Sequence, residues 1–474
     1  MLRILHGGAR LCDGLSRREV LRVGGLGAVG LGGVGLGLPD LLRARQVQAA
    51  TAQAAQRQGT ARSCIVLFLM GGPPQHSTFD PKPDAPAEVR GQFAPISTVV
   101  PGMQFSELLP QSALVADRMA VLRAMSSTDN AHSSSGYYMM TGQPHVPMNF
   151  ENANPGFPND YPHMGAIVRK LIPARGNLPT AMRLPHRIFN TDGSVWPGQD
   201  AGFLGRPVEP WLLNCKPGDP GFRIDEFALN VDVSDQRFAG RRTLLEQVNQ
   251  RLNAVERLGT PGNYGQLTEQ AFSVLSSSAS REAFQLDRES DAVRDRYGRT
   301  HFGQSVLMSR RLVEAGVSLV QVNWYRGPDE PADTPCWDSH TREAQRLKTV
   351  LCPPADQALS ALISDLEDRG RLDDTLVVCM AEFGRSPRIN GAAGRDHWGH
   401  VYSVALAGGG IKGGAVHGAS DALGGYPKEG KVAPQDLTAT IYHCLGLAPE
   451  TEIHDTLGRP IPISRGEPIW PILA

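Results

Sequence analysis

Thr375-Leu-Val-Val-Cys-Met-Ala381 runs directly into Glu382-Phe-Gly-Arg385 and, after a short polar stretch, into Gly394-Arg-Asp-His-Trp-Gly-His400. The first run is apolar and partly β-branched, bounded by Asp373-Asp374 before it and by Gly384 and Pro387 after it, which is the pattern of a buried strand. Open α/β sheets gather their ligands beyond the carboxyl ends of such strands. Glu382 is therefore expected at a sheet's carboxyl edge, with Asp396, His397 and His400 on the loop behind it. One further carboxylate and two imidazoles beside that acid make a ligand set suited to zinc, manganese or iron.

Strand and helix patterns alternate on either side of this stretch. Cys64-Ile-Val-Leu-Phe-Leu-Met70 reads as a first strand, followed by the Gly/Pro loop Gly71 to Pro83 that carries His76 and Asp80. Met119 to Met125 is a second apolar run. It leads to His132-Ser-Ser-Ser135, where a helix is expected to start, capped by a serine or by Asn130. Ser318 to Trp324 reads as a strand, Pro354 to Arg369 as a helix with Leu359, Leu362, Ile363 and Leu366 on one face, Val401 to Ala407 as a strand, and Pro434 to Leu445 as a helix. This alternation predicts an α/β fold with a largely parallel sheet. The stretch from about 143 to 235, rich in Pro, Gly, Asn and aromatics, reads as insertions around the site, with one helix near His163 to Leu171. Helical spacing is also present over Phe238 to Leu258, Gly265 to Arg288 and Thr300 to Glu314.

Net charge is −1 with a pI near 6.9, so nothing global favours nucleic acid or an anionic membrane as partner. At the N-terminus, Ser16-Arg-Arg-Glu-Val-Leu21 precedes an uncharged Gly/Leu/Val run of about 16 residues, Val23 to Leu38, shorter than a membrane span needs. Twin arginines before such a run predict a twin-arginine export signal over residues 1–50, with the Tat translocase as a transient partner. The mature chain, one domain over 60–474 with no stable transmembrane segment, is then periplasmic or extracellular. An oxidising compartment allows disulfides, and Cys336 with Cys352 is the loop pair to test.

Four loops carry side chains that an α/β sheet can bring together: Asp80 with His76, His132 with Ser133 and Ser134, Asp338 with His340, and Glu382 with Asp396, His397 and His400. Each has a structural alternative. Arg395 beside Asp396 and His397 suits either an anion site or a buried ion pair that holds the loop, and Glu382 with Arg385 suits either chemistry or a strand-end clamp. The serines suit either a nucleophile or a helix cap. Gly408-Gly-Gly-Ile-Lys-Gly-Gly414 lacks the phosphate-loop spacing and reads as a tight turn.

These residues resemble the bacterial family known as domain of unknown function 1501, grouped with sulfatase-like and alkaline-phosphatase-like proteins. The matching motifs are the twin-arginine leader, Leu69-Met-Gly-Gly-Pro73, Phe79-Asp-Pro-Lys-Pro83, His132 through Gly142, Arg311-Leu-Val-Glu-Ala-Gly316, Trp337-Asp-Ser-His340, Glu382-Phe-Gly-Arg-Ser-Pro387, Gly394-Arg-Asp-His-Trp398 and Ala407 through Gly414. The resemblance implies an alkaline-phosphatase-like α/β/α sandwich with a mostly parallel sheet. It also implies a metal-dependent hydrolase of sulfate or phosphate esters, with one or two divalent ions (zinc, manganese, calcium or iron) and a sulfated or phosphorylated small molecule or polysaccharide as substrate. On that plan Asp338, His340, Glu382 and His397 are metal ligands, and Asp80, Asp396 and His400 lie at or just behind the metal. Arg385 or Arg395 holds the anion, and His132, Ser133 or Ser134 is nucleophile or acid/base.

The chain also departs from that plan. Met70-Gly71-Gly72 stands where a metal-binding aspartate is usual, Phe383 where a histidine usually follows the strand-end acid, and no sulfatase Cys/Ser-x-Pro-x-Arg signature occurs at His132. The alternative function is a non-catalytic binding or partner protein that keeps at most a structural metal.

Overall fold

The computed structural model describes residues 59–224, 274, 277–327 and 336–474. The leader, the helical pattern over Phe238 to Leu258 and most of that over Gly265 to Arg288 lie outside the described residues. Residues 59–474 form one compact unit.

Among the described residues, eight strands make one sheet: β1 (Ser63–Phe68), β2 (Met119–Met125), β3 (Ala181–Leu184), β4 (Trp211–Leu212), β5 (Leu319–Asn323), β6 (Thr375–Met380), β7 (Tyr402–Ala407) and β8 (Ala415–His417). Their order is β8-β2-β7-β6-β1-β5-β3-β4. Every pairing is parallel except those of β7, which runs opposite to both β6 and β2. The fold is thus mixed α/β with a large, mostly parallel sheet, as its alternating pattern predicts. The reversal at β7 has a local cause: the glycine- and proline-bearing segment between β6 and β7 contains no helix, so the chain turns back without a crossover.

All six residues of β1 and of β6 are buried, and successive side chains of a strand point to opposite faces, so both faces of the sheet centre are covered. α3 (His301–Glu314) packs on β5 and β1 and against α4 (Cys352–Asp368), while α1 (His132–Thr141) packs against α5 (Pro434–Cys444). α2 (Met164–Leu171) lies beside β3. The sheet centre is Val, Ile, Leu, Cys and Phe with no exposed atom to speak of, the composition of a strand buried on both sides.

One expectation changes, and one open pairing is answered. The region read as insertions supplies β3 and β4 of the main sheet; these strands are four and two residues long, and Arg183 interrupts the first, so neither shows a strand period in sequence. The six cysteines from Cys64 to Cys444 form no disulfide, so Cys336 and Cys352 are not bridged. Among the described residues no helix is long and apolar enough to cross a membrane.

Candidate metal centre

The loops after β2, β5 and β6 meet at the carboxyl edge of the sheet. The first places His132 as the opening residue of α1, the second carries Asp338 and His340, and the third carries Glu382, Arg385, Asp396 and His397. A two-residue antiparallel pairing of His397-Trp398 with Gly384-Arg385 folds the third loop back over the strand end.

One ligand atom from each of His132, Asp338 and His397 lies within 4.8 Å of the others. His132 Nε2 is 3.2 Å from Asp338 Oδ2, and His397 Nε2 is 3.1 Å from Asp338 Oδ1. His340 Nε2 joins them, 3.0 Å from Asp338 Oδ1 and 2.9 Å from His397 Nε2. His397 Nδ1–H donates to the Asn130 carbonyl at 2.7 Å, so its Nε2 lone pair faces the cluster. On the other side His132 Nδ1–H donates to Glu382 Oε1 at 2.7 Å, and the Gly71 N–H donates to the same oxygen at 2.8 Å. Behind the cluster, Arg385 donates to Asp338 Oδ1 at 2.6 Å and to the carbonyls of Gly71, Gly72 and Arg395.

The electrostatics follow from these contacts. Burial opposes a charged imidazole at His132, but Asp338 and Glu382 outweigh it and hold the ring protonated up to about 10 when no other cation is present. For Asp338, burial works against its charge, while His132 and Arg385 hold the carboxyl well below the usual range. Burial and the positive His132 push His397 down to about 3, leaving it a neutral imidazole, the form that binds metals.

The donor set fits a divalent transition metal. His132, Asp338 and His397 each offer a ligand atom within 4.8 Å of the other two, two neutral-capable imidazoles and a carboxylate of the kind that binds such an ion at about 2.0–2.1 Å. Buried Glu382 Oε2 has no hydrogen-bond partner, leaving an unsatisfied acceptor beside the imidazoles. His132, Asp338 and His397 would hold the ion, with His340 beside Asp338 and His397, and Glu382 would stand behind His132 in the carboxylate–histidine–metal relation that fixes a ring's tautomer.

The remaining candidates are placed elsewhere or used differently. Asp80 is buried and engaged with Lys82, Arg123 and Ser420. His76 donates from Nε2 to the Leu423 carbonyl, and burial together with Arg395 pushes its ring down to about 3. His400 packs its ring on Trp398 and Tyr426. Asp396 accepts from His340 Nδ1 at 3.3 Å and from Asn390, one shell outside the cluster. Arg395 is the loop clamp: it binds Glu343 at 2.9 Å and the carbonyls of Val89, Ser386 and Pro387. Ser134 donates to Asp129 and accepts the Phe150 N–H, while the Ser133 hydroxyl accepts from Asn190. Neither serine nor Asn130 caps α1. Its N-cap is Ala131, and the Glu151 carboxylate takes the His132 N–H at 2.7 Å and the Ser133 N–H.

The two departures noted in the sequence become intelligible. A Cβ on Gly71, whose φ is +111°, would stand 2.3 Å from the Asp338 nitrogen, so the second loop's close approach leaves no room for an aspartate there. Phe383, in the histidine's place, packs its ring 4.9 Å from that of His132 and 4.7 Å from that of His397, walling the centre with hydrocarbon.

The cluster opens into a pocket of about 260 Å³ lined by Glu151, Asn190, Trp196, Arg326 and Cys336 besides His132, Asp338 and His397. A larger cleft of about 860 Å³, between Phe157, Arg187 and Trp211, has no imidazole in its lining and is not the candidate centre. Glu151, Trp196 and Arg326 were not singled out from sequence. They sit in unpatterned loops, and no spacing signal marks them.

Residues 61–473 match the family described as "Protein of unknown function (DUF1501)". No curated protein matches the chain. Among solved structures the chain is similar to the PsFucS1 sulfatase from Pseudoalteromonas sp., with 13% identity over 85% of this chain and 72% of that one and a TM-score of 0.38. It is also similar to the phosphonate monoester hydrolase SpPMH from Silicibacter pomeroyi, with 15% identity over 88% and 76% of the two chains and a TM-score of 0.37. With the phosphonate monoester hydrolase of Agrobacterium radiobacter, identity is 12% over 87% and 77% and the TM-score is 0.40. Overlaps this loose say nothing about chemistry. The family match spans nearly all of the described chain and includes every loop of the candidate centre, so this protein belongs to the DUF1501 family.

Proposed function

We propose that the chain is an exported, metal-dependent hydrolase of sulfate or phosphate esters. The observation that carries this reading is the convergence of His132, Asp338 and His397, with His340 beside them, in a pocket on the sheet's carboxyl edge. A divalent ion bound there supplies Lewis acidity toward a sulfuryl or phosphoryl oxygen. The protein's own part is to aim the donors: Glu382 keeps His132 in the Nδ1–H tautomer, the Asn130 carbonyl does the same for His397, and Arg385 anchors Asp338. Phe383 and Trp196 shield the imidazoles, which strengthens every electrostatic contact between them. Because the hydroxyls of Ser133 and Ser134 are bound to other side chains and to backbone, the arrangement favours direct attack by water over a seryl intermediate.

The test is elemental analysis of protein purified without chelator, beside His397→Ala and Asp338→Ala, followed by assay against aryl sulfates, aryl phosphates and aryl phosphonates. We expect about one transition metal per chain, lost in both variants together with turnover of at least one ester class. No bound metal after incubation with zinc or manganese sinks the reading. A second reading, a non-catalytic protein with a structural metal, is favoured by the absence of an unengaged serine at the start of α1. Metal retained without turnover of any ester would select it.

A further inference from the structure

Arg385 and Arg395, to which the sequence offered the anion-holding role, are both buried and hydrogen-bonded to internal carboxylates and carbonyls. An anionic ester still needs a cation other than the metal, since the pocket also presents the carboxylates of Asp338 and Glu151. Among the described residues lining the pocket, Arg326 is the one with a permanent positive charge.

Arg326 is held in place from several sides. It follows β5 by three residues, and its backbone N–H donates to His186 Nε2 at 2.9 Å. His186 can accept because its Nδ1–H donates to the Arg187 carbonyl at 2.8 Å, and burial favours that neutral ring. Asn323, the last residue of β5, donates to the His186 carbonyl at 2.7 Å and ties this loop to the sheet. The guanidinium donates from NH1 to the Phe189 carbonyl at 2.8 Å and lies 4.9 Å over the Phe189 ring. Among the described residues the guanidinium makes no other hydrogen bond, ion pair or ring contact, so one edge of the planar fork is pinned and the other remains for a ligand. A guanidinium so positioned can donate two parallel hydrogen bonds to a tetrahedral oxyanion.

We propose that Arg326 is the anion-binding residue of the site, receiving the non-bridging oxygens of the sulfuryl or phosphoryl group whose other face meets the metal centre. This assignment rests on the ester-hydrolase reading and names the residue that selects a charged ester over a neutral one.

The experiment titrates inorganic sulfate and phosphate into the full protein by calorimetry, metal-free and zinc-loaded, for wild type, Arg326→Met and Arg326→Lys. Removing a pair of charge-assisted hydrogen bonds is expected to weaken anion binding by roughly 10–100-fold in Arg326→Met at unchanged zinc content, with Arg326→Lys in between. Equal anion affinity in wild type and Arg326→Met overturns the assignment. Loss of zinc in both variants overturns it as well, because the residue then holds the fold rather than the anion. Wild type that binds no anion in either state overturns the assignment and the ester reading together. Arg326-dependent anion binding in a protein that takes up no metal supports the assignment and sinks only the metal reading.

Discussion

At the scale of single residues, the centre separates groups that share a chemical type. Asp338 and Glu382 are both carboxylates one hydrogen bond from His132, yet Asp338 meets three imidazoles and Arg385 while Glu382 meets one imidazole and a backbone N–H. Glu382 therefore acts on the ring rather than alongside it, and Glu382→Gln is expected to lower zinc affinity roughly 10–100-fold, measured by competition with a chromophoric chelator. Complete loss of zinc would instead make Glu382 a ligand, and unchanged affinity would remove it from the centre. Residue types in sequence could propose both acids but not tell them apart, because the distinction lies in which atom of a distant histidine each one faces.

At the scale of elements, the helix and strand bounds were largely legible and the caps were not. α2 starts one residue after His163, whose Nδ1 accepts the Gly165 N–H at 2.8 Å while Nε2–H donates to Gln321 of β5 at 2.8 Å. The bond that Nδ1 accepts requires the neutral ring, and burial, reinforced by Arg183, pushes its pKa from 6.5 down to about 3. An unfolded chain binds this proton near pH 6.5 and the folded one only near pH 3, so the stability that His163 contributes is present above 6.5 and lost as pH falls toward 3. His163→Asn keeps a good cap without the titration. Its urea-unfolding free energy is expected to fall less steeply than wild type below pH 6.5, by up to about 1.4 kcal/mol per pH unit, with matching slopes above pH 7. Identical slopes across the range would show that the ring does not titrate as described. The α1 start makes the same point: Glu151, 19 residues away, supplies the acceptor that the local serines were expected to provide. A cap delivered by another loop leaves no trace at the helix start.

At the scale of the whole molecule, the candidate metal centre ties together three loops that leave the sheet at β2, β5 and β6, strands separated in sequence by up to 250 residues at the paired His132 and Glu382. A ligand that binds only the assembled loops stabilises the fold by mass action, about 4 kcal/mol at a thousandfold excess over Kd. Chelator is therefore expected to lower the melting temperature of zinc-loaded wild type by several degrees and to leave His397→Ala unchanged, read by scanning calorimetry. An equal response in both would mean that the ion binds elsewhere.

By itself the sequence determined the α/β alternation, the family and the stretch around Glu382 to His397, because buried strands carry an unbroken apolar run and polar residues that follow one must lie at the sheet edge. It also supplied the four loops from which ligands would be drawn. Only the tertiary structure decided which of them met. It brought His132, Asp338, His340 and His397 together, sent Asp80 to Lys82 and Arg123 and His400 to Trp398 and Tyr426, spent Arg385 and Arg395 on the scaffold and brought Arg326 into the pocket. The reason is geometric. A residue's type and spacing fix which interactions it is able to make, whereas the partner is chosen by loop paths across the sheet edge, and those depend on every strand pairing at once.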